Sequence, residues 1–100
     1  MTILAIFTGK GITQDMYDLL RKEVDWVHQQ PQGAISHTAS FDETGEAHVV
    51  DVWTSPEALD NFVNTRLAPA MQRNNIPLPD VSVYPVHNMD AFTSVKQYIR

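Results

Sequence analysis

Apolar and polar positions follow two different periods along this chain, and the switches between them mark its elements. Residues 2–8 hold an unbroken apolar run, Ile3-Leu4-Ala5-Ile6-Phe7. Such a run predicts a strand buried on both faces and therefore central in its sheet. Gly9-Lys10-Gly11 turns the chain; these two glycines lack the rest of a phosphate-loop fingerprint. The period then becomes helical over residues 14–28, with Thr13 as N-cap and Asp15 in the first turn. Met16, Leu19, Leu20, Val24 and Val27 make the buried stripe of this helix. Tyr17 flanks the stripe, and Trp26 falls off it, as a lid or an interface residue would. Gln30-Pro31-Gln32-Gly33 ends the helix and turns the chain.

Residues 34–41 and 46–54 read as a hairpin around Asp42-Glu43-Thr44-Gly45, with Gly45 in the left-handed position of a bulged turn. That bulge sets the register: Phe41 opposite Ala47, Ala39 opposite Val49, His37 opposite Asp51 and Ile35 opposite Trp53. A slip by one residue would pair Ile35 with Val52 and send the two polar groups to different faces.

Ser55-Pro56-Glu57 opens a second helix, predicted over residues 56–73, with Leu59, Phe62, Val63, Leu67, Ala70 and Met71 as its stripe. Pro69 is expected to kink it or to end one segment near Ala68. Residues 80–87 form a last strand, placed at a sheet edge because Pro85 removes a ladder donor.

The element order is β-α-β-β-α-β. With right-handed crossovers it gives a ferredoxin-like α+β fold, a four-stranded antiparallel sheet with two helices on one face. Residues 1–88 make this single domain. Residues 89–100 are a tail carrying Met89, Phe92, Val95, Tyr98 and Ile99, expected to dock on the domain or on a dimer partner. The other sheet face, with Leu4, Ile6, Thr38, Val50 and Val52, is too apolar for water, and a second copy of the chain is the simplest cover. A homodimer is therefore expected.

Composition narrows the partners. A net charge of −5, with seven scattered basic residues, argues against nucleic acid or an anionic membrane. The absence of cysteine removes disulfides, thiolate metal sites and a Cys nucleophile. No stretch has the makings of a signal peptide or a membrane span, so a cytoplasmic location is expected.

His37 opposite Asp51 is the strongest candidate for chemistry, because a carboxylate beside an imidazole fixes its tautomer and raises its basicity. The competing reading is a buried polar pair that contributes specificity alone. Trp53, Phe62 and Tyr17 are candidates to line an apolar pocket, with core packing as the alternative for Phe62. Arg66 lies near the second helix stripe, where it would reach an anionic substrate or make a surface salt bridge; His87 is a further substrate-binding candidate, with Tyr84 and Asn88 near it shaping the pocket mouth or the dimer seam. The histidines follow no metal-ligand spacing, and His48 faces away from His37, so no metal site is expected. His28 suits the C-terminus of the first helix.

Four segments carry a family resemblance: Gly33 to His37, Val49 to Ser55, Arg66-Leu67-Ala68-Pro69-Ala70 and Val83 to Asn88. Together they resemble the dimeric α+β barrel superfamily, relatives of the antibiotic-biosynthesis monooxygenases, over residues 2–88. The resemblance implies that fold and dimerisation; its members' chemistries are diverse. Haem-degrading members carry an Asn on the first strand, a Trp on the third and a His on the second helix. Trp53 matches the Trp, but the first strand has no Asn and residues 56–73 have no His, so haem degradation is set aside. Two functional classes follow. One is a cofactor-independent, monooxygenase-like enzyme for a small apolar or aromatic substrate, with His37 as base, Asp51 orienting it and Trp53 stacking on the substrate. The other is a non-catalytic, small-molecule-binding or stress-related dimeric protein.

Overall fold

The computed structural model of the protein describes residues 1–100. Strand β1 spans Ile3–Gly9 and helix α1 Gln14–Val24; strands β2 (Ala34–Phe41) and β3 (Ala47–Trp53) form the hairpin. Helix α2 (Pro56–Phe62) continues through a π turn at Val63–Leu67 into α3 (Ala68–Arg73), and strand β4 covers Asp80–Pro85. The antiparallel sheet has the order β2-β3-β1-β4, with β1 and β3 central and each helical crossover skipping one strand, β1 to β2 past β3 and β3 to β4 past β1, as the ferredoxin-like α+β fold requires. No helix is long and apolar enough to cross a membrane.

The apolar run of β1 is central, but its burial alternates rather than being uniform. Ile3, Ala5 and Phe7 are buried against Leu20, Val24, Leu59, Phe62 and Met71 of the helices, while Leu4 and Ile6 are half-buried on the other face. Both helices therefore share one side of the sheet. On the far side Val50 and Tyr84 are exposed, whereas Val52, also expected there, is buried.

Caps account for the helix starts. Thr13 Oγ1 accepts the Met16 N–H at 3.2 Å, and Ser55 Oγ accepts the Ala58 N–H at 3.1 Å, with Pro56 in the first turn of α2. The first helix stops at Val24, four residues before its expected end. Asp25 takes the left-handed conformation with φ 55°, and its N–H closes on the Arg21 carbonyl. The early stop takes Val27 off the stripe; it is exposed, as is Leu19.

A segment boundary does fall beside Ala68, where the π turn ends at Leu67 and α3 begins with Pro69 in its first turn. A proline ring at this place would collide with the carbonyl four residues back. The chain widens just before it instead, with the Ala68 N–H bonding to the Val63 carbonyl in a π turn.

The hairpin register follows Gly45, which has φ 86°: Phe41 faces Ala47, Ala39 faces Val49, and His37 faces Asp51. The expected Ile35–Trp53 pair is absent. Ala34 faces Trp53, Ser36 faces Val52, and Ile35 is the extra residue of a bulge between them. Gly33, with φ 88°, leads into this bulge and carries no side chain for a packing reason. A Cβ there would lie 2.6 Å from Ala58 Cβ and 2.7 Å from Thr54 Oγ1. Strand β4 occupies a sheet edge and ends at Pro85, two residues short of its expected end. The tail forms a 3-10 turn over Thr93–Tyr98, and Arg21 donates to the carbonyl of Arg100 at 2.7 Å; Phe92, Tyr98 and Ile99 stay exposed.

Candidate functional site

Alternation along β3 puts Asp51 and Trp53 on the helix side of the sheet, and the hairpin register brings His37 of β2 to the same place. The His37 Nδ1–Asp51 Oδ1 distance is 2.6 Å, and Trp53 Nε1 donates to the second carboxylate oxygen at 3.1 Å. Asp51 is buried, and an ionised carboxylate is tolerated there because it accepts these hydrogen bonds. Trp53 is also buried, so its indole N–H needs this acceptor as much as the carboxylate needs the donor.

The imidazole is engaged on its other side too. Tyr17 of α1 places its hydroxyl 2.7 Å from His37 Nε2, and the two rings lie within 5° of parallel. Trp26 packs on both, with ring centroids 5.2 Å from His37 and 5.8 Å from Tyr17, and Phe41 meets Tyr17 edge-on at 5.7 Å. The early end of α1 makes this possible, because the chain reverses at Asp25 and turns Trp26 back over the sheet. Burial, ahead of the charges of Arg21, Asp51 and Asp18, pushes the Tyr17 hydroxyl up to about 12.

These groups open onto a cavity of about 290 Å³ between sheet and helices. Fifteen of its 22 lining residues are hydrophobic, and neither lysine nor arginine is among them. Tyr17, His37, Asp51, Trp53 and Phe62, five of the candidates named from the sequence, share this one cavity. Trp53 and Phe62 also pack against each other at 5.5 Å. Two candidates lie elsewhere. Arg66 donates to the Val24 carbonyl at 2.9 Å and sits 5.2 Å from the Phe62 ring centroid, capping α1 rather than reaching a ligand. His87 lies past the end of β4, exposed and away from the cavity lining.

From residue type and period Tyr17 is expected in the pocket wall but not as the partner of His37, and Trp26 as a lid or an interface residue without choosing between them. Its position off the apolar stripe was the available signal for Trp26. No local signal joins Tyr17 to a residue 20 positions away.

A second polar cluster lies at the hairpin turn. Asp42, Glu46 and His48 each bring a ligand-type atom within 4.8 Å of the others. Both Asp42 oxygens are already engaged, one by the Thr44 and Glu46 N–H groups and the Thr44 hydroxyl, the other by His48 Nε2 at 2.8 Å. The Thr44 hydroxyl bond, followed by that from His48, holds the Asp42 carboxyl below the ordinary aspartate range. The cluster is a turn brace. His28 likewise pairs with Asp25 at 2.7 Å beyond the end of α1.

No protein-family model and no curated protein sequence matches the chain. Solved structures do. A Chloroflexus aurantiacus protein provisionally assigned as an antibiotic biosynthesis monooxygenase aligns with a TM-score of 0.65 at 14% identity, covering 91% of this chain and 98% of that one. SnoaB, a cofactor-independent oxygenase from Streptomyces nogalater, gives 0.61 at 12% identity, covering 88% and 93%. Rv0793 from Mycobacterium tuberculosis gives 0.59 at 16% identity, covering 90% and 97%. The chain therefore has the fold of the antibiotic-biosynthesis-monooxygenase-like proteins.

Proposed function

We propose that this protein is a homodimeric, cofactor-independent enzyme that removes a proton from a small, uncharged, apolar or aromatic substrate, in the manner of a monooxygenase of this fold. The observation that carries the reading is the hydrogen-bonded chain Tyr17–His37–Asp51–Trp53 opening into an apolar cavity. His37 is the base on which the site's extra proton ends, and Asp51 fixes its tautomer and balances the imidazolium that forms. Trp53 holds Asp51 and offers its ring to the cavity.

Charge selects the substrate. An anion would enter an apolar space that has a carboxylate and no cation in its wall. A cation would have to compete with the His37 and Trp53 hydrogen bonds for Asp51, the one carboxylate in the wall. A neutral molecule meets neither penalty. The cavity volume lies at the lower end for ligand sites, which suits a compound smaller than a typical drug. SnoaB, named a cofactor-independent oxygenase, supports a reading in which this fold needs no prosthetic group.

Surface area supports the dimer. The chain exposes 7071 Å², whereas a compact monomer of 11.3 kDa exposes about 5,700 Å². The excess, about 1,300 Å², exceeds what one partner contributes to a standard interface. Exposed Val50 and Tyr84 on the far sheet face, with Phe92, Tyr98 and Ile99 of the tail, are the apolar part of it. Light scattering at micromolar concentration should give twice the chain mass; a monomer overturns this part of the reading.

One feature favours a non-catalytic binding or stress-related role instead: the His37 hydrogen bonds are complete without any ligand. Deuterium exchange separates the two. In heavy water the protein should speed loss of the α-protons of 2-tetralone, a neutral, enolisable aromatic ketone, as followed by proton NMR, and His37→Gln should not. Binding without exchange makes the non-catalytic reading the correct one.

A further inference from the structure

We infer that Tyr17, rather than a ring nitrogen of His37, is the group that takes the substrate's proton. The inference rests on the proton-abstraction reading above and concerns which atom meets the substrate. Asp51 accepts at one oxygen from Trp53 Nε1–H, and its other oxygen lies 2.6 Å from His37 Nδ1, so Nδ1 carries a hydrogen. In the neutral imidazole Nε2 is then bare and accepts, and the Tyr17 hydroxyl at 2.7 Å donates to it. Both His37 nitrogens are thereby occupied. Each Asp51 oxygen keeps a lone pair, but Asp51 is buried and held by His37 and Trp53, whereas the Tyr17 oxygen keeps its lone pairs on a half-buried residue that lines the cavity.

The phenol is also held in place. His37 lies parallel to it and end-on through the hydrogen bond, Phe41 meets its edge, and Trp26 closes over both rings. A substrate bonding to Nε2 would have to push Tyr17 out of this aromatic box. A substrate bonding to the Tyr17 oxygen displaces nothing. Burial raises the hydroxyl, Asp51 on the sheet and Asp18 on its own helix add to that, and Arg21 opposes it, so the phenol stays protonated at neutral pH, as the donor role requires.

The step balances without an oxidant. The substrate's α-C–H proton passes to Tyr17 Oη as the Tyr17 proton passes to His37 Nε2. The C–H bonding pair stays on the substrate as an enolate, and the imidazolium lies beside the Asp51 carboxylate. Reversal returns a solvent-derived proton to carbon, which is what an exchange experiment reads.

Tyr17→Phe keeps the ring and removes only the hydroxyl, leaving His37 Nε2 open. With 2-tetralone in heavy water, this variant should exchange about tenfold or more slower than wild type, with a native melting transition. A smaller loss, or a gain, means that His37 acts directly and overturns the inference while leaving the base reading intact. Wild-type exchange no faster than His37→Gln removes the base reading and this inference with it. A fluorinated tyrosine at position 17, which lowers the phenol's pKa without changing its shape, covers the case in which Tyr17→Phe does not fold. The alkaline limb of the exchange rate should then move to lower pH; a limb that stays in place overturns the assignment.

Discussion

The β2–β3 hairpin holds a histidine–carboxylate pair at its turn and another toward its open end, built from the same groups at nearly the same distance. At the turn, His48 meets Asp42 at 2.8 Å; toward the open end, His37 meets Asp51 at 2.6 Å. Their surroundings separate them. Every partner of Asp42 lies within six residues of it, so the pair closes one loop of chain on itself. The Asp51 pair joins two strands and, through Tyr17, a helix, and it faces a cavity. A pair with only local partners braces a turn, whereas one that collects partners from three elements can position a reacting group. The two glycines repeat the contrast. Gly45 has open space around its missing side chain, while Gly33 lies against Ala58 and Thr54.

Substitution of those glycines gives the largest expected difference. Both have positive φ, so alanine at Gly45 should cost about 1 kcal/mol. Alanine at Gly33 adds a collision with the start of α2 and should cost at least about twice that. Urea unfolding of the two variants measures both, and equal costs would show that the open end is no more constrained than the turn. Next comes Asp51→Ala, which leaves the buried Trp53 N–H without an acceptor. A loss of about 2 kcal/mol, or about 10 °C in melting temperature, is expected. Asp42→Ala should lower it less, and the reverse order would break the comparison.

Two pH effects sharpen it further. The Tyr17 hydroxyl is raised from 10.0 to about 12. Its contribution to stability is therefore complete below pH 10 and lost as pH rises through about 12. Between pH 10 and about 12, wild type should lose melting temperature relative to Tyr17→Phe, which has no phenol to ionise. The smallest effect is at the turn. Asp42 is held below its ordinary value of 3.8, so the support it gives is present above that pH and lost as pH falls further. The Thr44 and Glu46 amide shifts should hold through pH 3.8 and move only below it; movement at 3.8 itself contradicts the bracing.

The parts legible in the sequence were those fixed by near neighbours. Gly45 set the turn, the turn set the register, and the register placed His37 opposite Asp51 on the inner face. Thr13 and Ser55 marked the helix starts by the same local chemistry. The cavity walls Tyr17, Trp53 and Phe62 could be named from residue type and period. Distant partners decided the rest. The bulge at Ile35 answers to the packing of Gly33 on Ala58, 25 residues away in the chain. The early end of α1 depends on an aspartate adopting φ 55°, with Arg66 on the last helical carbonyl. Neither Tyr17 nor His37 carries any mark of the other.

The π turn at Val63–Leu67 makes chain length itself a structural variable. One residue more than an α-helix would use is lodged there, and an α-helix turns about 100° per residue. Removing a single residue such as Asn64 would let the π turn close into an ordinary α turn, with Ala70 and Met71 downstream still facing the core beside Leu59 and Phe62. The same removal from an unbroken α-helix such as α1 would turn everything beyond it by about 100°. The cavity wall that Leu59, Phe62 and Met71 build can therefore survive a lost residue at this turn.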